Sequence, residues 1–160
     1  MRLDGLQRQL AAAIRGEANG GPGDYVASVE ESPGLIATRE IIAAWRDLLL
    51  RRGCPLTVAL LEQRGRLTAA FAELAHRHLS AYIEVASCEF LRRFERDADP
   101  LVAAVACFER AVIEARQGKE GAVIIEWPHP PDEVIERLLS GLPVEGILST
   151  GTYAMTVFRE

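Results

Sequence analysis

Apolar residues recur at steps of three and four through most of this chain, and then the period changes. Leu3, Leu6, Leu10 and Ile14 predict an amphipathic helix over residues 2–15. Residues 16–34 break that spacing. They hold Gly20-Gly21-Pro22-Gly23 and few apolar side chains, so they read as a loop, too long for a tight connection. Ser32-Pro33 has the form of an N-cap followed by proline at the first helical position, where a missing N–H costs nothing. The helix it opens carries Ile41, Ile42, Trp45, Leu48 and Leu49 as its stripe and ends near Arg52-Gly53. Cys54-Pro55 starts a third, short helix with Leu56, Ala59, Leu60 and Leu61 inward and Gly65 as its stop. A fourth runs over 67–82, with Leu67, Ala70, Phe71, Leu74, Ala75, His78, Leu79 and Tyr82 on one side. Ser87 is placed to cap a fifth carrying Phe90, Leu91 and Phe94, which closes in Arg96-Asp97-Ala98-Asp99. Asp99-Pro100 repeats the cap-then-proline signal and opens a sixth helix with Leu101, Val105, Phe108, Val112 and Ala115 along one face.

The helical period ends at Gln117-Gly118-Lys119-Glu120-Gly121. Val123-Ile124-Ile125 is a short β-branched run, and the prolines of Trp127-Pro128-His129-Pro130-Pro131 forbid its extension. Val134 and Leu138 mark a two-turn helix over 132–139, stopped by Gly141. The last stretch alternates, with Gly151, Tyr153, Met155 and Val157 on one face and Thr152, Ala154, Thr156 and Phe158 on the other. The expected fold class is therefore α+β: an N-terminal bundle of about six helices over 1–117, then a small strand–helix–strand appendage over 118–160, closed as a two- or three-stranded sheet under one helix. No repeat of 20 to 50 residues is visible.

Composition narrows the function classes. A chain of 160 residues, 49% hydrophobic and 26% charged, buries about two thirds of its unfolded surface and folds without staples. No run is long and apolar enough to span a membrane, and Met1-Arg2-Leu3-Asp4-Gly5 lacks a signal core, so the expected location is cytoplasmic. Cys54, Cys88 and Cys107 form no CxxC pair, which argues against a disulfide framework or a zinc site; Cys88 and Cys107 read as small packed hydrophobes. The net charge of −5 disfavours nucleic-acid binding. Arg39, Arg46, Arg51, Arg52, Arg64, Arg66, Arg77, Arg92, Arg93 and Arg96 gather locally, yet acids interleave them, as on a solvated helix surface.

Candidate chemistry is sparse. His76 and His78 stand two apart, so on a helix they diverge by roughly 200° and cannot chelate one metal. His129 has no Cys or carboxylate at ligand spacing and reads as a loop residue. Gly20-Gly21-Pro22-Gly23 lacks the lysine and serine of a phosphate cradle, and Ser149 lacks the setting of a nucleophile and reads as a turn hydroxyl. Glu109 lies beside the buried stripe of the sixth helix, where a carboxylate is costly unless paired; a structural ion pair with an arginine of a neighbouring helix is expected. No catalytic residue, cofactor site or metal site is assigned. The final strand carries the one positive argument. If it is a sheet edge, it accepts an extended peptide, with Gly151, Tyr153, Met155 and Val157 as the binding residues; if it pairs inside its own sheet, that face meets a helix.

The run Leu3-Asp4-Gly5-Leu6-Gln7-Arg8-Gln9-Leu10, the step Cys54-Pro55-Leu56-Thr57 into Leu60-Leu61, then Phe71-Ala72-Glu73-Leu74-Ala75 and Phe108-Glu109-Arg110-Ala111 resemble the HvfC/BufC and MbnC companion proteins. The resemblance covers most of residues 1–117 and, more loosely, the tail; the chain lacks that family's aromatic- and proline-rich segment after the fourth helix. It implies a non-catalytic accessory subunit. Such companions partner a TIM-barrel, multinuclear-iron oxygenase that modifies cysteines of ribosomally made peptides, and they bind the Cys-containing precursor while the iron stays in the other subunit. The family's helical part has also been labelled a DNA-binding domain, so a DNA-binding regulator is the alternative from another class. An isolated enzyme using Glu109 and a histidine is the third.

Overall fold

Proline opens four of the six helices seen among the described residues, at Pro33, Pro55, Pro100 and Pro131, each time at the position where an amide hydrogen has no helical acceptor. The computed structural model describes residues 7, 8, 11, 12, 32–75, 80–146 and 148–159. The helices are α1 (Pro33–Gly53), α2 (Pro55–Gln63), α3 (Leu67–Ala75), α4 (Ile83–Leu91), α5 (Pro100–Arg116) and α6 (Pro131–Leu139), with strands β1 (Gly121–Trp127) and β2 (Tyr153–Arg159) on either side of α6. The fold is α+β. Of the expected helix over 2–15, residues 7, 8, 11 and 12 are described and are helical; its other residues, the Gly20–Gly23 stretch, His76 and His78 lie outside the described residues.

Two compact units divide the chain: residues 1–48 with 69–78, and residues 49–68 with 79–160. In the first, Leu35, Ala70 and Leu74 are buried, and the Ser32 hydroxyl accepts from the Leu35 N–H at 3.2 Å, as the cap reading expects. The expected α1 stripe is not a buried one. Ile41, Trp45 and Leu48 stand 68%, 45% and 47% exposed, while Leu49 and Leu50 are buried.

The second unit is built around α5. Leu101, Val102, Ala104, Val105, Ala106, Ala111 and Ile113 are all buried, a spread too wide for a single amphipathic face and the mark of a central helix. Asp99 caps it by accepting from the Leu101 and Val102 N–H groups. Helices α2 and α4 and both strands pack on α5, whereas α6 packs on α2 through buried Val134 and Leu138. The helix that covers the sheet is therefore α5, and the short helix between the strands lies elsewhere. The strands also belong to this helical unit, so Gly118, where the sequence period changes, is not the seam between the two units.

Two element boundaries differ from expectation. Residues 80–82 are not helical, and the next helix starts at Ile83, with Tyr82 as N-cap. Ser87 accordingly caps nothing; it sits fully buried inside α4, and Phe94 falls in the turn beyond it. The reason is burial: Ala86, Phe90 and Leu91 have no exposure, so packing sets the helix a turn earlier than a local serine signal does.

Strands β1 and β2 pair antiparallel from Gly121 opposite Arg159 to Trp127 opposite Tyr153. Residues opposite one another share a face. Val123, Ile125 and Trp127 therefore point the same way as Val157, Met155 and Tyr153. Trp127 is fully buried and meets Phe108 of α5 edge to face, with ring centroids 5.8 Å apart. The opposite face is open, with Ile124 71% and Phe158 72% exposed.

Candidate functional site

A sheet of two strands has two outer sides, and a groove follows one of them. Along β1 runs a groove of about 540 Å³ lined by the whole stretch Val123–Trp127. Consecutive strand residues point to opposite faces, so a groove touching all of them follows the side of the strand that β2 does not pair. Its floor comes from the first half of α5, where Ala103, Ala104 and Cys107 are small, and its far end from Gly151 and Thr152. Nothing in β1 blunts this edge. It contains no proline or lysine, and its one charge is Glu126.

The four expected peptide-binding residues are thus divided. Gly151 borders the groove, but Tyr153, Met155 and Val157 are half-buried on the inner face, opposite Trp127, Ile125 and Val123. They hold the sheet to α5. The Tyr153 hydroxyl pairs with Ser149 Oγ at 3.1 Å, and His129 Nδ1 lies 3.0 Å from the Ser149 carbonyl oxygen, so both read as turn residues.

Among the described residues Glu109 does not form the expected ion pair. Its carboxylate accepts from the Leu56 N–H at 2.7 Å and from the Thr57 N–H at 2.8 Å, so it caps the first turn of α2 from a helix more than fifty residues away in sequence. Pro55 and Cys54 explain why a distant cap is needed. Cys54 stands at the N-cap position, but its thiol donates back to the Leu50 carbonyl at 3.2 Å and offers α2 no acceptor. Burial pushes the Glu109 carboxyl up to about 7, against the hydrogen bonds from Thr57 and Leu56, which favour the charged form. Burial likewise pushes the Cys54, Cys88 and Cys107 thiols up, the opposite of what a reactive thiolate requires.

The ion-pair node is Glu114, five residues further along α5. Arg110 and Lys119 each reach one of its oxygens at 2.9 Å and Arg159 of β2 reaches the other at 2.8 Å. Burial opposes the charge, but Lys119 and Arg110 hold the carboxyl below its usual range. Sequence spacing does contain part of this signal, because Arg110 and Glu114 stand four apart on one helix. Arg159 is invisible until the strand register is known.

Other basic residues are also committed: Arg64 to Asp99 and Glu145, Arg66 to Asp97 through two contacts, and Arg51 to Glu62. Among the described residues no group of three or more His, Cys, Asp or Glu is placed to hold a metal ion, and no helix is long and apolar enough to cross a membrane. No family model, curated protein or solved structure matches the chain.

Proposed function

We propose that this chain is a non-catalytic adapter that takes an extended peptide as a third strand on the free side of β1. The observation that carries the reading is the unblunted β1 edge facing its own groove. Main-chain hydrogen bonds along Val123–Trp127 would supply affinity. The small side chains of Ala103, Ala104 and Cys107 leave room for alternate inward residues of the incoming strand. With the sequence resemblance, the proposed peptide is a Cys-containing, ribosomally made precursor, and the proposed partner a TIM-barrel multinuclear-iron oxygenase that does the chemistry. The arginines drawn into ion pairs weigh against the DNA-binding alternative, because phosphate contacts would have to replace those partners.

The test combines co-purification with a tagged oxygenase of this class and hydrogen exchange in the presence of its precursor peptide. The peptide is expected to slow exchange of the β1 amides. The variant Ala103→Phe, which fills the groove floor, is expected to weaken the peptide by about tenfold or more while leaving the unfolding temperature nearly unchanged. Protection confined to other elements would overturn the groove as the site. Stoichiometric iron on the purified chain, or peptide modification by it alone, would overturn the adapter role.

A further inference from the structure

A second cleft in the α5 unit, of about 330 Å³, lies among the end of α1, the start of α4 and the end of α5. One part of its wall is apolar, formed by half-buried Ile83 and buried Ile113. Two arginines stand beside them, Arg52 in the last turn of α1 and Arg116 in the last turn of α5. Their state sets them apart from most arginines of this unit. Arg51, Arg64, Arg66, Arg110 and Arg159 all hold carboxylates, whereas Arg52 and Arg116 have no partner among the described residues. A cation at a helix C-terminus has a ready explanation in the helix dipole. That explanation covers each arginine separately and leaves open why both border one cleft beside the same two isoleucines.

The two observations together specify a ligand. Guanidinium groups match the planar fork of a carboxylate, and an apolar wall between them takes a hydrocarbon body. The single acid in the lining, Glu84, penalises a dianion more than a monoanion. Gln117 adds an amide donor at the same rim. We infer that this cleft binds a small organic monocarboxylate, its head between Arg52 and Arg116 and its short branched or linear apolar body against Ile83 and Ile113. The site is separate from the β1 groove, and peptide binding there does not bear on it.

The test follows isoleucine methyl resonances of the whole chain during titration with 4-methylpentanoate, with 4-methylpentanol and inorganic phosphate as controls. The carboxylate is expected to saturate the Ile83 and Ile113 signals with a Kd of about 1 mM or below. The alcohol and phosphate are each expected to bind at least about tenfold more weakly, since each lacks one half of the recognition. The double variant Arg52→Ala/Arg116→Ala is expected to lose about tenfold or more. Arg92→Ala, an exposed arginine outside the cleft, is expected to change nothing. Equal binding of the alcohol, equal binding of phosphate, undiminished carboxylate binding by the double variant, or no shift at these methyls would each overturn the proposal.

Discussion

Two glutamates on α5 show how position decides the role of one side-chain type. Glu109 is buried with no cation paired to it among the described residues and is stabilised by two backbone N–H groups of α2, while Glu114 is buried among three cations. Their pH signatures should have opposite signs. With the folded Glu109 carboxyl raised from 4.5 to about 7, folding favours its protonated form; the associated stability is full below pH 4.5 and is lost as pH rises through 7. The amount is on the order of 3 kcal/mol. Glu109→Gln should therefore flatten the fall in unfolding free energy between pH 4.5 and 7; an unchanged slope in denaturant melts would remove Glu109 as its source. Glu114 is lowered, so its contribution is present at neutral pH and lost on acidification. Glu114→Gln should cost about 3 kcal/mol at pH 7, because it leaves Arg159 and Lys119 without their buried partner, and less at pH 3. Equal cost at both pH values in urea titrations would contradict the ion-pair account.

At the scale of elements, α1 and α4 meet within the α5 unit at Gly53. A Cβ built there would lie 1.9 Å from Ser87 Oγ and 3.0 Å from Ile83 Cγ1, so the close approach requires glycine for space. Gly53→Ala should destabilise by about 1–3 kcal/mol, and Ser87→Gly on that background should restore part of the loss, since it removes the atom in the way. Additive effects in chemical denaturation would refute direct contact. Much of the element pattern was legible beforehand. The Ser32 and Asp99 caps, the proline starts, the Val134 and Leu138 face of α6 and the alternation of β2 all rest on short-range geometry, which a sequence expresses directly. The start of α4 was not legible, because Tyr82 gives no side-chain cap and the helix is fixed by burial of Ala86 and Phe90. The exposed Ile41, Trp45 and Leu48 of α1 make the same point from the other side: helical periodicity names a face and says nothing of what covers it.

For the whole molecule, the consequential result is that the strands complete the helical unit that contains α5. Trp127 closes over Phe108, and Arg159 reaches back to Glu114. A chain ending at Gly118 should therefore lose cooperative unfolding and expose apolar surface to a hydrophobic dye, and Trp127→Ala in the full chain should cost about 3–5 kcal/mol. A sharp, unchanged thermal transition in the truncated chain would show that the helices stand without the sheet. The sequence by itself determined the class of most described segments and the absence of familiar catalytic spacings, because periodicity, caps and prolines are local properties. It also offered the edge of the final strand as a candidate site, beside the reading in which that strand pairs inside its own sheet and faces a helix. Only the tertiary structure decided that a groove runs along β1, that α5 rather than α6 covers the sheet, and that Glu109 caps a helix while Glu114 gathers the charges. Each of those depends on contacts between residues dozens of positions apart, and no local pattern in the chain encodes them.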